Sequence, residues 1–334
     1  MDARILGKSG VATTALGFGT APLGDLYALN DEAVAVATIE TALRAGLGLV
    51  DTSPLYGHGL AELRLGAALR RVPHAKPAIS TKVGRVMDPR RPRGDGSGYA
   101  GGLPHAARFD YSYDGALRSL EQSMLRLGVD RIDIVLIHDL NMATHGDALD
   151  ARFEEAANGA FKALARLRDE KVVKGVGVGV NDWEMCVRFA RAADIDCVLL
   201  AGRYSLLEQP AATEFLPLAR QRNIGVMLGG VFNSGILATG PVPGAMYNYR
   251  PAQPEILARV AKIEAACRRY GVALRDAAQR FPLAHPAVSC LVLGAVKPEE
   301  VQAQLASFAK PIPAGLWADL KTEGLIARDC PVPA

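Results

Sequence analysis

The chain has 334 residues, enough for one large α/β domain or two ordinary ones, and 49% of them are hydrophobic, which excludes a largely disordered protein. Its 38 Lys and Arg residues against 35 Asp and Glu residues leave a net charge of +3, so the charge balance predicts no nucleic-acid partner. No stretch is long and apolar enough to span a bilayer, and the N-terminus lacks the pattern of a signal peptide. We therefore expect a cytoplasmic protein, not associated with membranes, whose five cysteines are reduced and buried rather than metal ligands.

From about residue 16 onward, short runs rich in Val, Ile, Leu and Gly alternate with longer amphipathic stretches. The short runs lack polar alternation, as expected for parallel strands that are covered on both sides. The predicted strands are Leu16–Thr20, Leu47–Ser53, Ala78–Val83, Ile132–His138, Val173–Val180, Cys197–Gly202, Gly225–Gly230 and Cys290–Ala295. The predicted helices are Asp31–Ala45, Ala61–Arg70, Tyr113–Leu127, Phe153–Asp169, Asn181–Ala193, Thr213–Arg222, Pro254–Arg269 and Pro298–Phe308. Asp31 and Asp182 are placed to cap the helices that follow them.

Eight strand–helix units in one series predict an α/β fold, a (β/α)8 TIM barrel formed by residues 1–334 as a single domain. An open doubly wound sheet is the alternative, but the count of eight and the absence of a linker favour the barrel. Residues 2–15 precede the first unit and predict a hairpin over the N-terminal mouth. Met87–Arg108 and Gly240–Gln253 are rich in glycine and proline and predict long active-site loops at the C-terminal ends of strands.

Polar side chains stand at the ends of three successive apolar strands. Asp51 ends the second strand, Lys82 lies at the end of the third and His138 ends the fourth, with Tyr56 in the loop after Asp51. Any one of these alone is unremarkable, since a strand-end Lys or Asp is commonly a solvated rim residue. Because adjacent strand ends of a barrel lie side by side, we expect the four side chains to converge in a site.

The residue types suit hydride transfer, which requires a proton to move on the neighbouring oxygen. A tyrosine hydroxyl has an unperturbed pKa near ~10, and a cation beside it favours the phenolate. We expect Lys82 to lower the pKa of Tyr56 in this way and Asp51 to keep Lys82 charged and oriented. His138 would donate a hydrogen bond to the reacting oxygen.

Several stretches in chain order resemble the aldo-keto reductases. They are LGFGT (16–20), DTSPLYG (51–57), YGHGLAELRLGAAL (56–69), STK (80–82), LIHD (136–139), GVGVN (177–181) and GAVKPEEVQAQL (294–305). The resemblance implies a catalytic tetrad of Asp51, Tyr56, Lys82 and His138, with Tyr56 as the acid in reduction and the base in oxidation. It also implies a nicotinamide dinucleotide bound without a Rossmann fold. The glycines of GVGVG (175–179) agree, since they lie within a strand and lack the G-x-G-x-x-G spacing.

The same resemblance implies the cofactor contacts. Gly19, Thr20, Asp51 and Asn181 would lie by the nicotinamide half. Gly230, Phe232 and Ser234 would line the pyrophosphate. Gly294, Lys297, Glu300 and Gln304 would hold the adenosine end.

The chain also departs from this family's pattern. Val180, Ala201 and Gly229 stand where many relatives have Ser, Gln and a stacking Tyr, so the nicotinamide contacts are thinner. Glu300 occupies the position at which NADP-preferring relatives carry an arginine for the 2′-phosphate. A glutamate there disfavours that phosphate, which predicts NAD as the preferred cofactor, with NADP still accepted because Lys297 lies close by. The alternative is that Glu300 is a solvated residue of the first helical turn.

FDYSYDGALRSLEQSMLRLGVDRIDIVLIHD (109–139), AGRYSLLEQ (201–209) and GGVFNSGIL (229–237) resemble a bacterial subgroup of D-threo-aldose 1-dehydrogenases, or L-fucose dehydrogenases, and pyridoxal 4-dehydrogenases. The resemblance implies oxidation of an aldose such as L-fucose or D-arabinose at C1 to the lactone, with His58 and Asp139 beside Tyr56 and His138 as candidate substrate-binding residues. Pyridoxal oxidation, a broad aldehyde reductase and a non-enzymatic redox sensor are the alternatives. The partner is thus a small-molecule sugar or aldehyde, and nothing in the sequence predicts an oligomeric state or a metal.

Overall fold

The computed structural model describes residues 3–94 and 98–333. Its strands are β1 (Ala3–Leu6), β2 (Val11–Thr14), β3 (Leu16–Gly19), β4 (Leu49–Asp51), β5 (Ala78–Val83), β6 (Arg85–Pro92), β7 (His105–Phe109), β8 (Ile134–His138), β9 (Gly175–Val180), β10 (Cys197–Ala201), β11 (Gly225–Gly229), β12 (Met246–Tyr247), β13 (Arg250–Pro251) and β14 (Val288–Gly294). Its α-helices are α1 (Glu32–Arg44), α2 (Leu60–Arg71), α3 (Tyr113–Leu127), α4 (Met142–His145), α5 (Leu149–Asn158), α6 (Ala160–Asp169), α7 (Trp183–Ala192), α8 (Phe215–Gln221), α9 (Ile236–Thr239), α10 (Pro254–Arg269), α11 (Leu274–Arg280), α12 (Pro298–Phe308) and α13 (Ala314–Thr322).

Eight parallel strands close into a barrel in the order β3-β4-β5-β8-β9-β10-β11-β14, with β14 pairing back onto β3. This confirms the predicted (β/α)8 barrel and excludes the open doubly wound sheet. Each of the eight predicted strands overlaps one of these, and β5 matches its prediction residue for residue. The continuous apolar runs are explained because one face of each strand packs against helices and the other lines the barrel interior.

The glycine-rich strand β9 is packed closely against its neighbours. Its valines Val176, Val178 and Val180 belong to the core between barrel and helices, whereas the glycines alternate with them. A Cβ at Gly177 would lie 1.7 Å from the carbonyl oxygen of Cys197, and one at Gly179 would lie 3.2 Å from Cε of Lys82. The interpretation of GVGVG as a tightly packed barrel strand is confirmed.

The N-terminal hairpin closes the lower end of the barrel, as predicted. β1 and β2 pair antiparallel, and Leu6 and Val11 join an apolar cluster with barrel residues such as Met227. The backbone N–H of Lys8 donates to the carbonyl of Asn223, just before β11, over 2.8 Å. The interior of the barrel is therefore apolar at its N-terminal end. Polar groups can be accommodated at the C-terminal end.

Several local predictions need correction. The helix predicted over Phe153–Asp169 is two helices, α5 and α6, because the chain turns at Gly159 and the N–H of Ala160 donates instead to the carbonyl of Tyr111. Asp31 caps α1 by accepting from the N–H of Val34, as expected. Asp182 precedes α7, but its carboxylate accepts from the N–H of Met142 on another loop rather than from its own helix. Helices α4, α9, α11 and α13 were not predicted from the sequence.

Where the structure describes them, the two predicted loops contain no helix, as expected, but both form β-ribbons. β6 pairs with β7 and β12 with β13, in both cases antiparallel. Residues 95–97 of the first segment lie outside the described part of the chain.

The five cysteines are free and buried, as predicted. No helix of the described residues is long and apolar enough to cross a membrane.

Replacing Gly177 with alanine tests the packing of β9. The added methyl would collide with the backbone of β10, so we expect the free energy of unfolding to fall by about 3 kcal/mol or more, measured by denaturant titration. Gly229→Ala is the matched control, because a Cβ there meets nothing nearer than 3.4 Å. Equal stabilities of the two variants would contradict this account of the strand.

Candidate active site

The barrel brings the four tetrad side chains together at its C-terminal end. Lys82 Nζ donates to Asp51 Oδ2 over 2.6 Å, and both side chains are buried. The same Nζ lies 4.7 Å from the centroid of the Tyr56 ring. The Tyr56 and His138 rings meet nearly at right angles, with centroids 5.9 Å apart. The predicted convergence of these side chains therefore exists in the structure.

Buried hydrogen bonds fix the Lys82–Asp51 pair. Ser80 Oγ donates to Asp51 Oδ1 over 2.8 Å, and Lys82 Nζ donates a second bond to the carbonyl of Thr52 over 2.8 Å. The neighbouring Thr81 donates to Glu62 of α2, at 2.8 Å. A charged pair in a barrel interior is tolerated only when its remaining hydrogen-bonding groups are satisfied in this way.

The turn after β4 places Tyr56. Gly57 adopts the left-handed conformation, with φ of 61°, and a Cβ there would lie 2.5 Å from the carbonyl oxygen of Gly24. Only glycine fits this close approach without strain. The chain can therefore reverse directly after Tyr56 and leave its ring beside Lys82.

The expected lowering of the Tyr56 pKa is wrong for this structure. Burial, followed by the charge of Asp51, raises the pKa of Tyr56 well above its ordinary value. The physical reason is mainly burial, and the charge of Lys82 is offset by Asp51 at 2.6 Å, so no free cation beside the ring counters it. Tyr56 is therefore a protonated phenol at neutral pH.

His138 is neutral as well. Burial lowers the pKa of His138 to about 3, against the opposing charge of Asp139. Its Nδ1 lies 3.1 Å from Ser53 Oγ, and its Nε2 lies 3.4 Å from Asp139 Oδ1. A neutral imidazole carries one N–H and can donate one hydrogen bond.

A large cavity, of about 520 Å³, opens above Tyr56, Lys82 and His138. Tyr99 reaches it from the first long loop, and Asn248, Tyr249 and Arg250 reach it from the second. The expectation that both loops cover the site is confirmed in its geometry. Further polar residues on its wall are Asp139, Asn141, Thr144, Asn181, Asp182 and Arg203.

The two predicted substrate-binding residues beyond the tetrad differ in placement. Asp139 lines the cavity, and Arg85 Nη1 lies 2.9 Å from its Oδ2. Burial opposes the ionisation of Asp139, but its pKa is lowered by the charge of His138 when that ring is protonated and by Arg85. With His138 neutral, Arg85 remains beside Asp139 and keeps it a carboxylate. His58 does not line this cavity: its ring is buried beside Tyr99, and Nδ1 donates to the carbonyl of His105 over 2.8 Å. A direct contact of His58 with substrate is not supported by this position.

The residues predicted for the nicotinamide half also differ in their exposure. Asn181 lines the large cavity, and Gly19 ends β3 beside Asp51. Thr20 is fully buried, and its hydroxyl is engaged with Thr52 Oγ1 at 2.8 Å and the carbonyl of Asp51 at 3.1 Å. Thr20 thus supports the strand ends, and its hydroxyl is not available to a ligand.

A second cavity, of about 240 Å³, lies where the adenosine end was predicted. Phe232, Gly294, Glu300 and Gln304 line it, together with Arg275 of α11. Glu300 Oε2 accepts from the N–H of Val296 over 2.8 Å, which caps the start of α12. Lys297 is not on the wall of this cavity. Phe232, predicted for the pyrophosphate, lies here instead.

The turn from Gly230 to Gly235 lies near both cavities. Phe232 faces the second cavity, whereas Ser234 Oγ accepts from the N–H of Tyr249, which lines the first. Gly230, Asn233, Ser234 and Gly235 all have positive φ, and the N–H groups of Asn233 and Gly235 donate within the turn, to the carbonyls of Gly230 and Phe232. Two cavities near one turn suit an elongated dinucleotide. No group of acidic, His or Cys side chains within residues 3–94 and 98–333 is arranged to hold a metal ion.

The sequence analysis missed several residues on or beside the large cavity. Ser53, Arg85, Tyr99 and Arg203 are among them. Ser53 lay inside the quoted DTSPLYG motif, and Arg85 follows Lys82 by only three positions. A polar residue two positions after the end of a buried strand was the signal available for these two. The other two lie in loops, where periodicity gives no information.

The model of the aldo/keto reductase family matches residues 15–322 of the chain. The chain belongs to this family. It is 42% identical to the pyridoxal 4-dehydrogenase of Microbacterium luteolum, over 98% of either chain. It is 39% identical to the D-threo-aldose 1-dehydrogenase of a Pseudomonas species, over 95% of this chain and 96% of that enzyme. The predicted resemblance to this subgroup is confirmed.

Solved structures of the family share the fold. The aldo-keto reductase AKR11C1 from Bacillus halodurans, in its holo form, superposes with a TM-score of 0.73 at 24% identity over 96% of each chain. The glycerol dehydrogenase AKR11B4 from Gluconobacter oxydans gives a TM-score of 0.73 at 22% identity, over 100% of this chain and 97% of that one. Members of the aldo/keto reductase family use nicotinamide cofactors, which agrees with the presence of two cavities near one turn.

The protonation state of Tyr56 is directly measurable. In the cofactor-free protein its phenol should remain protonated beyond pH ~10, the ordinary value, because burial and Asp51 oppose ionisation. NMR of tyrosine labelled with ¹³C at Cζ reports each phenol separately, and the Tyr56→Phe variant identifies the signal. Ionisation of Tyr56 below the ordinary value would restore the original expectation of a Lys82-stabilised phenolate.

Proposed function

We propose that this aldo/keto reductase oxidises the anomeric carbon of an aldose, such as L-fucose or D-arabinose, to the lactone with a nicotinamide dinucleotide. One observation carries the proposal: the cavity places Tyr56 and His138 beside Asp139, Asn141 and Asn181, groups that hydrogen-bond hydroxyls. A pyranose presents several hydroxyls next to its hydroxyl-bearing anomeric carbon, and a polar wall at the reacting centre matches that chemistry.

The tetrad residues have distinct proposed roles. In its phenolate form Tyr56 takes the proton of the C1 hydroxyl during oxidation, and in its phenol form it gives a proton back during reduction. The bound dinucleotide supplies the hydride acceptor. Lys82 and Asp51 hold the phenol in place, with Lys82 Nζ 4.7 Å from the centroid of its ring. His138, being neutral, donates a hydrogen bond to the reacting oxygen and stabilises charge that develops there.

Pyridoxal is the second candidate substrate. A relative with 42% identity over 98% of either chain is a pyridoxal 4-dehydrogenase, and pyridoxal forms a cyclic hemiacetal that is oxidised by the same proton and hydride movements. Tyr99 and Tyr249 on the cavity wall would stack on an aromatic ring. The polar residues outnumber these rings on the wall, which favours the sugar.

A substrate panel distinguishes the candidates. Initial rates with L-fucose, D-arabinose, L-galactose, pyridoxal and short aldehydes, each with NAD and NADP, should give the highest kcat/KM for an aldose. Tyr56→Phe should bind cofactor normally but lose ~10²–10⁴-fold in turnover. Preference for pyridoxal would select the second candidate, and preference for short aldehydes would select a broad reductase. Cofactor binding without turnover of any substrate would contradict the enzymatic proposal.

We further propose that NAD is preferred over NADP. Glu300 lines the predicted adenosine cavity, and its carboxylate is held there by the N–H of Val296. A fixed negative charge disfavours a 2′-phosphate and accepts a hydrogen bond from a free 2′-hydroxyl. Arg275 lines the same cavity and supplies a positive charge that lets NADP bind more weakly rather than not at all.

The cofactor preference is tested by dissociation constants for both reduced cofactors, measured by fluorescence. Glu300→Arg should shift the ratio toward NADP by about tenfold or more, since a planar guanidinium binds phosphate well. Arg275→Ala should weaken NADP selectively and leave NAD nearly unchanged. A wild type that prefers NADP, or a ratio that Glu300→Arg does not alter, would show that Glu300 only caps its helix.

A further inference from the structure

Ser53 lies between the tetrad residues in sequence and is fully buried. Its Oγ accepts a hydrogen bond from the backbone N–H of Leu55 over 3.1 Å. The same oxygen lies 3.1 Å from Nδ1 of His138, a residue 85 positions away in the chain. Among the described residues, these are the two hydrogen-bond partners of this hydroxyl.

The hydrogen of the Ser53 hydroxyl has an acceptor in only one of the two neutral tautomers of the His138 ring. His138 is neutral, so its single N–H is on either Nδ1 or Nε2. If Nδ1 carried the hydrogen, Ser53 Oγ would accept two N–H bonds and its own hydrogen would have no acceptor among the described residues. A buried donor left without an acceptor is costly. If Nδ1 is unprotonated, the Ser53 hydroxyl donates to it and every group is satisfied.

The second ring nitrogen then carries the hydrogen. Nε2 lies on the side of Asp139 Oδ1, at 3.4 Å, and Asp139 lines the large cavity, as does His138 itself. A contact of 3.4 Å to the carboxylate is long, so the N–H remains available to an oxygen bound in the cavity. The orientation of this donor is what the proposed role of His138 requires.

We propose that Ser53 is a positioning residue for His138: it donates its hydroxyl hydrogen to Nδ1, and so keeps the single N–H of the ring on Nε2, facing the reacting oxygen. The inference deepens the proposed function and rests on it for its catalytic consequence. The hydrogen bond and the tautomer are properties of the resting protein and do not depend on the substrate. We therefore expect turnover to require the Ser53 hydroxyl, although this group does not contact the substrate.

The tautomer is read from long-range ¹H–¹⁵N correlation spectra of protein labelled with ¹⁵N-histidine, with His138→Asn identifying the signals. The wild type should show an Nε2–H ring whose unprotonated Nδ1 is hydrogen-bonded. In Ser53→Ala the Nδ1 resonance should move to the position of a free imine nitrogen, with a rising fraction of Nδ1–H. Ser53→Thr keeps the hydroxyl and should restore the wild-type pattern.

Kinetics provide the second readout. Ser53→Ala should lower kcat roughly tenfold to a hundredfold while the dissociation constant for the cofactor is unchanged, and Ser53→Thr should recover most of the loss. Ser123→Ala is the matched control, because it removes a buried hydroxyl on α3 that donates to the carbonyl of Ser119 and does not contact the tetrad.

A wild-type ring protonated on Nδ1 overturns the proposal. So does a Ser53→Ala variant whose Nδ1 resonance and kcat match those of Ser123→Ala. If no aldose or pyridoxal is oxidised, the proposed function fails, yet the spectra still decide whether Ser53 fixes the tautomer. The two failures are therefore distinguishable.

Discussion

The buried ion pair of Lys82 and Asp51 is the constraint on which the rest of this site depends. Two charges removed from water require close pairing and full hydrogen bonding, and the strand ends supply both. Space for the long lysine side chain comes from strand β9, where Gly179 has no Cβ to occupy it. The apolar lower half of the barrel and the hairpin beneath it then keep water away from the pair on that side.

The ion pair also determines what kind of chemistry the cavity supports before any ligand binds. Because burial disfavours the charged form of each side chain, and Asp51 offsets the charge of Lys82, Tyr56 and His138 are both neutral at physiological pH. A neutral phenol is ready to act as an acid, whereas its use as a base requires additional positive charge or higher pH. Reduction and oxidation therefore place different demands on the same four side chains.

Charged residues of α2 tie the loops to this centre. Arg64 is buried and pairs with Asp25 at 2.7 Å, which holds the segment after β3. Glu62 accepts from Thr81 next to Lys82 and from Arg126 of α3. On the other side of the cavity, Glu208 accepts from Tyr247 over 2.9 Å and so anchors the second β-ribbon. These contacts give the charged positions of the AELR motif a structural meaning that periodicity does not reveal.

The two loops over the cavity show which structural features local composition predicts and which depend on distant residues. Their glycine and proline content excludes helices, and none is found in the described residues of either loop. Their pairing into β-ribbons depends on which segments face each other across many residues, as in the pairing of Met87 with Ala107. Composition indicates that a segment is not helical, but it does not specify its hydrogen-bond partner.

The sequence by itself determined the barrel, because parallel strands covered on both sides are continuous apolar runs. It also determined the members of the tetrad, because a polar residue at the end of such a run is easily recognised. Only the tertiary structure decided that Tyr56 is protonated, that His58 faces a backbone carbonyl instead of the cavity, that the Thr20 hydroxyl is engaged, and that Asp182 caps another segment. The reason is physical. A pKa or a hydrogen bond depends on neighbours such as Ser53 and His138, which lie 85 residues apart, and no periodicity in the chain encodes which distant group will be adjacent.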